Sequence, residues 1–503
     1  MVARRSRAHS CLISHFLYSF GEIFTSDFAF SLSLSLLFSA SVFAQTFLNI
    51  ADFGGVVNDG APDDDALRKA FEEALQVHAA GVFLPAGNWH FEQSIFVPRG
   101  MTLKGSYTRP HVAEKEDLEG AGTTIECYVG KISDAENIEK NPWEFPSCVY
   151  LQGSSTLEGV NIVYPEQTDP LHPMPYAWTI FCNSAYDANQ EPTEAARCAV
   201  INSTLVNSYA GIFMAWASND HLIRGVNMAV FKKGIVLDGV TSLGVIENVN
   251  IHNQYSWAFY QVKASDAEKT AAFAKRDLEN LTGIEIHRAD WGWLSNIFVI
   301  YAKMGFVFSK SLSADSSQWE MGTRALPSLD LVNVGCDLCD VAIQADYVNS
   351  GIGVNFTNGN FLGRVLVGDD SYGSIRFTNS FFSFGIAAKD SLADQFQIGR
   401  HATLQMTNSE VLTFPAGVPL WRGSIFRNRG ILQLNNTILA VTDTNWFDMG
   451  QFVHLKSEEN GIATVQNIVG RGVDFRFKTT EKGRIRASGI EFDTANRQYN
   501  PPK

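Results

Sequence analysis

The chain has 503 residues, 45% of them hydrophobic and 18% charged, and a formal net charge of −14 at pH 7. This acidic balance argues against a nucleic-acid partner. It also disfavours general attraction of a polyanionic polymer, unless a local basic patch or a bound cation reverses the charge in a groove.

The first 44 residues have the pattern of a secretion signal. Three arginines within the first seven residues precede the apolar run 28–44, which ends in alanine before Gln45. A basic start, an apolar segment and a small residue before the cleavage point are typical of exported proteins. The alternative is a single membrane anchor, although the run is short and interrupted by serines. We expect a mature chain of residues 45–503, secreted or periplasmic, with no membrane partner. Its net charge is −15, because residues 1–44 contain three Arg, one Asp and one Glu.

Six cysteines remain in the mature region, and an even number in an exported chain permits disulfides. We expect Cys127 to pair with Cys148 and Cys182 with Cys198, each pair closing a loop. The motif Cys336-Asp337-Leu338-Cys339 looks like a metal or redox pair, but no second pair or His cluster accompanies it. Buried thiols or a local bridge are therefore favoured over zinc.

The mature region opens with a distinctive passage. It contains Asp52-Phe53-Gly54-Gly55, then Asn58-Asp59-Gly60-Ala61-Pro62-Asp63-Asp64-Asp65, a helical pattern, and Gly81-Val82-Phe83-Leu84-Pro85-Ala86-Gly87. This passage resembles the amino-terminal signature of the pectate-lyase superfamily, which includes polygalacturonase-, rhamnogalacturonase- and epimerase-like proteins. The resemblance implies a right-handed parallel β-helix, with residues 45–105 forming an N-terminal cap and the first coils.

The cap is expected to contain an amphipathic helix that covers the open end of the stack, as a terminal repeat must. The carboxylates of Asp63, Asp64 and Asp65 stand at its start. A Ca²⁺ site is the alternative role for this cluster. The apolar positions with helical spacing are Leu67, Ala70, Phe71, Ala74 and Leu75.

From residue 157 to 441 a short phrase recurs: a strand, a corner with Asn or Gly, and a second strand. Such a repeat indicates stacked units that bury side chains against their neighbours. We expect an all-β protein, a single-stranded right-handed parallel β-helix with loop insertions, and a ladder of corner amides. A β-sandwich is the alternative. The predicted corner residues are Gly159, Asn202, Gly225, Asn248, Asn296, Asn333, Asn358, Asn379, Asn408 and Asn435.

Insertions interrupt the first half of the repeat at 109–122, 131–146, 163–198 and 256–280. The last is predicted to contain a helix over 264–278. Insertions in solenoids often build the binding face, so they indicate where a groove wall lies. The tail 471–503 is expected to form the second cap.

Candidate site residues cluster among these insertions. The first choice for catalysis is a carboxylate pair of Glu166 and Asp290, because Asp290 stands between an arginine and two indoles. The assisting groups are His252, Arg288 and Lys303. The residues expected to bind or stack on a sugar are Trp291, Trp178, Trp257, Tyr176 and His221. For Trp216 and Trp293, a position in the core is the alternative, because the interior of a solenoid also accepts large rings.

The resemblance carries over no catalytic residue, because the chain lacks the Asn-Thr-Asp and Gly-His-Gly motifs of the hydrolase branch and the Trp-Ile-Asp-His motif of the calcium-dependent lyases. We expect an enzyme that degrades a polysaccharide, either a glycoside hydrolase or a polysaccharide lyase. The alternative is a non-catalytic glycan-binding solenoid of the adhesin or tailspike kind. No metal ligands are assigned, and Ca²⁺ is compatible with the sequence without being required by it. A monomer is expected, with a trimer as the alternative.

Overall fold

The computed structural model describes residues 46–107, 122–133, 138, 145–182, 197–215, 219–240, 242–259, 265–311, 326–384, 392–413, 421–442, 452–472, 475–480 and 482–493. The predicted secretion signal lies outside this part of the chain. The described residues form 35 strands and two α-helices. Neither helix has the length and apolar character needed to cross a membrane.

The helices are α1 (Asp64–Gln76) and α2 (Asp266–Asn280). The strands of the first half are β1 (Phe47–Asn49), β2 (Gly81–Leu84), β3 (Gly87–Phe91), β4 (Ile95–Val97), β5 (Thr102–Gly105), β6 (Thr123–Cys127), β7 (Val149–Leu151), β8 (Thr156–Glu158), β9 (Val160–Val163), β10 (Trp178–Cys182), β11 (Ala199–Ile201), β12 (Thr204–Met214), β13 (His221–Arg224), β14 (Asn227–Leu237), β15 (Gly244–Ile251), β16 (Thr282–Ile286), β17 (Asp290–Ile300) and β18 (Met304–Phe308).

The strands of the second half are β19 (Ser328–Asp337), β20 (Val341–Ala345), β21 (Val354–Thr357), β22 (Asn360–Leu362), β23 (Arg364–Val367), β24 (Ser374–Thr378), β25 (Phe381–Phe384), β26 (Phe396–Ile398), β27 (Thr403–Thr407), β28 (Glu410–Thr413), β29 (Ser424–Asn428), β30 (Ile431–Asn435), β31 (Ile438–Val441), β32 (Val453–Ser457), β33 (Ile462–Arg471), β34 (Phe477–Thr479) and β35 (Arg484–Asp493).

These strands build three parallel sheets, visited in the same order in each coil. Sheet A runs β2, β5, β8, β11, β13, the first halves of β15, β17 and β19, then β21, β24, β27, β30 and the first halves of β33 and β35. Sheet B runs β3, β6, β9, the first halves of β12 and β14, the second halves of β15, β17 and β19, then β22, β25, β28, β31 and the second halves of β33 and β35. Sheet C runs β4, β7, β10, the second halves of β12 and β14, then β16, β18, β20, β23, β26, β29, β32 and β34. The predicted fold class, a right-handed parallel β-helix, is therefore confirmed.

The core lies between the three sheets and is filled by side chains that stack from coil to coil. Phe356 and Phe377 stack with their ring centroids 4.9 Å apart, and Phe396 and Phe426 do so at 4.6 Å. All four rings are buried. Each coil thus completes its core with the coils above and below, as the repeat predicted.

The corner between sheets A and B carries the predicted amide ladder. The corner asparagines and glycines have positive φ angles, for example +53° at Asn333, a conformation that Asn and Gly tolerate best. Asn296 Nδ2 donates to Asn248 Oδ1, Asn333 Nδ2 to Asn296 Oδ1, and Asn358 Nδ2 to Asn333 Oδ1, each at 3.2 Å.

The sequence analysis predicted one corner residue one position too early, at Asn435 instead of Asn436. The positive φ belongs to Asn436 (+49°), whose Nδ2 donates to Asn408 Oδ1 at 2.6 Å. Asn435 is the last residue of β30 and pairs with Thr407. The two adjacent asparagines have the same side chain, so only the strand register separates them.

Substitution of Asn333, in the middle of the amide ladder, should separate the contribution of its side-chain hydrogen bonds from that of its positive φ angle. Asn333→Ala is expected to lower the free energy of unfolding by about 1–2 kcal/mol, because it removes two amide hydrogen bonds and places an alanine at positive φ. Asn333→Gly should cost less, since glycine adopts this backbone freely. Urea unfolding of both variants measures the difference. Equal losses would mean that the backbone conformation is unimportant there.

The N-terminal cap follows the prediction with two differences. Ala66, Leu67, Ala70, Phe71 and Ala74 of α1 are buried, but Leu75 is half exposed. The side chain of Asp63, which precedes α1, does not cap that helix.

The Asp63 and Asp64 carboxylates instead tie the cap to the first coils. Asp63 accepts from the backbone N–H groups of Val56 and His90, and Asp64 from those of Glu92 and Gln93, at 2.9–3.1 Å. Each of the four carboxylate oxygens therefore accepts one backbone hydrogen bond, which supports a structural role for the two side chains.

The helix of the 256–280 insertion begins with a capping box, in which Ser265 and Glu268 exchange hydrogen bonds. Its last turn buries Arg276 and Asp277. The guanidinium of Arg276 lies 4.5 Å from the centroid of Phe231 on β14 and donates to the Pro170 carbonyl at 2.6 Å. These contacts fix α2 against the stack.

The cysteines pair as expected in one case. Cys182 is bonded to Cys198, and Cys336 to Cys339, which is the local bridge that the sequence allowed. Cys127 and Cys148 are buried free thiols, so the predicted bridge between them is wrong. The two thiols contact each other by a hydrogen bond, and burial raises the pKa of Cys148 well above its usual value.

The two bridges should contribute unequally. Cys182–Cys198 closes 16 residues and Cys336–Cys339 only 3. In the loop-entropy account, Cys182→Ser with Cys198→Ser is expected to lower the free energy of unfolding by about 3 kcal/mol. Cys336→Ser with Cys339→Ser should cost about half as much. Urea unfolding compares the two variants, and the reverse order would contradict the expectation.

Candidate active site

The segment 285–293 links sheet C to sheet A and holds several predicted site residues. It leaves β16 at Ile286, turns a corner and enters β17 at Asp290. At the corner, Val240 N–H donates to the Arg288 carbonyl at 3.0 Å, and Asp290 N–H donates to the Val240 carbonyl at 3.1 Å. Two backbone hydrogen bonds to the preceding coil therefore fix the position of Asp290.

A largely buried ion cluster lies at the sheet C end of this segment. It consists of the buried Asp238 and His287 and the partly buried Lys233 and Glu285. Lys233 Nζ pairs with one oxygen of Glu285, and His287 Nε2 lies 3.0 Å from the other. Burial alone would raise the pKa of Glu285, but the hydrogen bond from His287 and the charge of Lys233 lower it to about 2. Glu285 is therefore ionised at neutral pH.

His287 is held by both ring nitrogens. Nδ1 lies 2.6 Å from the Lys310 carbonyl, and Nε2 faces Glu285. Burial would lower the pKa of His287, but the hydrogen bond and charge of Glu285 outweigh burial and hold the pKa above its usual value. Since both nitrogens face acceptors, the ring fits its doubly protonated form. It therefore anchors the corner that presents Arg288 and Asp290.

Asp290 is a partly buried carboxyl whose protonated form is favoured by its surroundings. Its carboxyl is half-buried, and this burial raises its pKa, with the charge of Arg288 opposing the rise. A carboxyl whose neutral form is favoured can hold a proton closer to neutral pH than an ordinary aspartate. Arg288 precedes Asp290 by two residues, and its positive charge acts on that carboxyl without outweighing its burial.

Two indoles follow Asp290 on the surface of sheet A. Trp291 is 61% exposed and has φ +59°, and Trp293 is 46% exposed. Of the two positions left open for Trp293, the structure shows the surface and not the core. The alternation along β17 turns Gly292 and Leu294 inward instead, so Trp293 faces outward. Exposed aromatic faces of this kind can pack against the apolar face of a sugar ring.

A second carboxylate stands on the next coil. Trp293 pairs with Asp330, and Asp290 pairs with Ser328 two residues earlier on β19. Standard strand spacings place the Cα atoms of Asp290 and Asp330 about 8 Å apart. Asn355 Nδ2 donates to Asp330 Oδ1 at 2.8 Å and so orients this carboxylate. The sequence analysis missed Asp330.

The other predicted carboxylate lies elsewhere. Glu166 follows β9 at the corner between sheets B and C, where it accepts from Tyr176 Oη at 2.8 Å and lies 3.8 Å from Lys131 Nζ. Sheet B steps from β9 through β12, β14 and β15 to β17. Four steps separate Glu166 from Asp290 by about 19 Å along the axis. The structure therefore does not bring the proposed pair together.

Three of the predicted sugar-binding residues have no open ring face. Trp178 and Tyr176 belong to the hydrophobic core, with the Trp178 ring 5.0 Å from that of Phe213. His221 is also buried, with its ring over the backbone of Gly244. Their burial removes them from a surface role. The side chain of Trp257 and all of Trp216 lie outside the described residues.

His252 and Lys303 lie away from Asp290. His252 directly follows β15, whose last residue Ile251 pairs with Val299 near the far end of β17. Burial lowers the pKa of His252 to about 4, and its Nδ1 accepts from Gln254 N–H at 3.1 Å. Lys303 is exposed at the next corner. Both residues therefore border a different surface from that of Asp290.

An open groove of about 760 Å³ lies on sheet B, and neither His252 nor Lys303 is among the described residues that line it. The His252 ring lies 6.5 Å from the ring of Phe298 at the groove. Phe298 is exposed there, and burial raises the pKa of Asp337 at its edge. No carboxylate accompanies Asp337 among the described residues that line the groove.

Comparisons with known proteins add the following. No family profile and no curated protein sequence matches the chain. Among solved structures, the Dettilon tailspike protein gp208 aligns with a TM-score of 0.46 and 11% identity, over 89% of this chain and 68% of that one. DFA-IIIase of Arthrobacter chlorophenolicus A6 aligns with a TM-score of 0.46 and 9% identity, over 81% of this chain and 98% of that one. The A-module of the mannuronan C-5 epimerase AlgE6 of Azotobacter vinelandii aligns with a TM-score of 0.38 and 10% identity, over 91% and 100%. Likenesses this distant do not assign an activity to the chain.

Proposed function

We propose that this protein is an exported polysaccharide hydrolase whose active site is centred on Asp290. The observation that carries the proposal is a half-buried carboxyl with a raised pKa, beside two exposed indoles and one coil away from the carboxylate of Asp330. The N-terminal signal pattern supports export.

In the proposed reaction, Asp290 donates a proton to the glycosidic oxygen as the bond between that oxygen and the anomeric carbon breaks. Asp330 accepts a proton from the water whose oxygen bonds to the anomeric carbon. The products are two shorter chains, and one proton has passed from water to Asp330 while Asp290 has lost one. In enzymes that use this mechanism the two carboxyl groups lie about 6.5–9.5 Å apart. Cα atoms about 8 Å apart on neighbouring strands are compatible with such a separation.

Hydrolysis is favoured over β-elimination by the position of the cations. Elimination from a uronate needs a base and a positive charge that neutralises the sugar carboxylate. His252 and Lys303, the groups expected to serve such a reaction, lie toward the other end of β17 from Asp290. Arg288 is the one predicted cation beside Asp290, and it already interacts with that carboxyl.

The proposal is tested by incubating residues 45–503 with neutral and uronic-acid polysaccharides, with and without EDTA. New reducing ends without unsaturated products support a hydrolase, and insensitivity to EDTA supports a metal-free acid and base pair. Unsaturated uronates would identify a lyase and overturn the assignment of Asp290. Retention on a polymer without any cleavage would favour the glycan-binding alternative, which the open face of sheet A also suits.

A further inference from the structure

One outward position of sheet A carries large side chains in six successive coils. It lies three residues before each corner asparagine, and cross-strand pairing joins each member to the next. Five steps between strands span about 24 Å. We call these residues the polar strip: Trp293, Asp330, Asn355, Arg376, Gln405 and Gln433.

Hydrogen bonds between neighbours hold the strip in place. Asn355 Nδ2 donates to Asp330 Oδ1 at 2.8 Å, and Arg376 Nη1 donates to Asn355 Oδ1 at 3.0 Å and to the Ile352 carbonyl at 2.7 Å. Gln405 Nε2 donates to Gln433 Oε1 at 2.9 Å. Long side chains normally lose rotamer freedom when they bind a ligand, and a strip that is already ordered avoids part of that cost.

The flanks of the strip carry hydroxyl groups in the two coils of Arg376 and Gln405. Ser374 and Thr403 pair on one side of it, and Thr378 and Thr407 on the other. Near the first of these flanks, Tyr372 is exposed and stacks on His401 with the ring centroids 4.7 Å apart. The flanks also expose apolar side chains, Val332 beside Asp330 and Ile431 beside Gln433, so the strip is an open track that offers both polar and apolar contacts.

The charges of the strip indicate which class of ligand it can bind. Asp330 and Arg376 compensate each other, and the remaining polar members are amides, which both donate and accept hydrogen bonds. The whole chain is acidic, with a net charge of −14. A ligand rich in hydroxyl groups and free of net charge matches this surface better than a polyanion does.

We propose that the polar strip binds a neutral, extended polysaccharide that lies parallel to the axis of the β-helix, with one end on the indoles of Trp291 and Trp293. The bound chain would then pass Asp290 at the N-terminal end of the strip. The identification of the ligand as a polysaccharide rests on the proposed function. Binding of the polymer to the strip does not require that the protein cleave it.

The test measures binding in an Asp290→Asn background, so that turnover does not consume the polymer. The probes are soluble xylan, glucomannan and β-glucan as neutral polymers and polygalacturonate as an anionic one, followed by affinity electrophoresis and calorimetry. Adding Gln405→Ala and Gln433→Ala should weaken binding of the preferred neutral polymer about 10-fold, the equivalent of one or two lost hydrogen bonds. Gln397→Ala on sheet C is the matched control and should leave the affinity unchanged, since Gln397 pairs within a different sheet.

The outcomes distinguish the two proposals. If the control and the strip variants bind equally well, the strip is not the binding site, while the assignment of Asp290 stands or falls on its own turnover assay. If the strip variants weaken binding but Asp290→Asn cleaves the polymer normally, the strip is the binding site and the proposed active site is wrong.

Two further outcomes concern what binds to the strip. Tighter binding of polygalacturonate than of the neutral polymers would contradict the proposal that the ligand is uncharged. A dimer or trimer that the strip variants dissociate, as measured by light scattering, would make a second copy of this chain the occupant instead.

Discussion

Asp290→Asn is expected to lower the turnover number on the preferred polysaccharide by about 10²–10⁴-fold, the usual loss when a general acid is removed. The amide is close in size to the carboxyl but cannot deliver a proton. The affinity for polymer should change far less, because the indoles that follow Asp290 remain. Initial rates of reducing-end formation measure the effect, and Glu279→Gln on the exposed surface of α2 is the matched control.

The pH dependence gives this prediction a second readout. A general acid works in its protonated form, and burial raises the pKa of Asp290. The wild-type rate should therefore fall as pH rises through a value above the usual range for aspartate. The residual rate of Asp290→Asn should lack that limb. A normal rate for Asp290→Asn together with a large loss in Glu166→Gln would transfer the catalytic role to the other predicted carboxylate.

Glu285→Gln is expected to lower the free energy of unfolding by about 3 kcal/mol, because it removes the carboxylate that Lys233 and His287 share in a largely buried site and leaves Asp238 as the remaining anion of the cluster. Glu247→Gln is the matched control. It removes the partner of Arg224 in a partly exposed pair and should cost less than about 1 kcal/mol. Urea unfolding at pH 7 compares the two variants.

The lowered pKa of Glu285 also predicts how the free energy of unfolding changes as the pH falls. The pKa of Glu285 is about 2 in the folded protein, against an ordinary value of 4.5. Its contribution to stability is therefore present above pH 4.5 and is lost as the pH falls towards 2. The loss amounts to about 3 kcal/mol across that window. In Glu285→Gln this part of the acid dependence should disappear. An unchanged profile would show that the ion cluster does not contribute to folding.

The repeating corner explains how much of this molecule could be predicted from its sequence. A corner asparagine marks the end of each sheet A strand from β15 to β33, so it fixes which side chains face outward there. Asp290, Arg288 and Trp291 were found instead from the residues beside them in the sequence, and they lie at the opposite end of the strand, at the corner between sheets C and A. Asp330 was missed because its strand was not aligned on Asn333, although it stands three residues before that corner, as Trp293 does before Asn296.

Sheet C carries no such marker. Its strands follow insertions of different lengths, so the sequence does not show which residues of β10 or β16 face the core. For this reason Trp178 was expected on the surface and is buried, while Glu285 and His287 were passed over although they adjoin Arg288. The misplacement of Asn436 has a related cause, because a shift of one residue exchanges the inner and outer faces of a strand.

The unbridged thiols of Cys127 and Cys148 give the first coils a built-in reporter of local opening. They are the only free cysteines among the residues that the structure describes, and both are fully enclosed in the core. A thiol reagent can reach them only while β6 and β7 are exposed to solvent. Under native conditions, the rate of labelling therefore measures how often this end of the stack opens, without unfolding of the coils that carry Asp290.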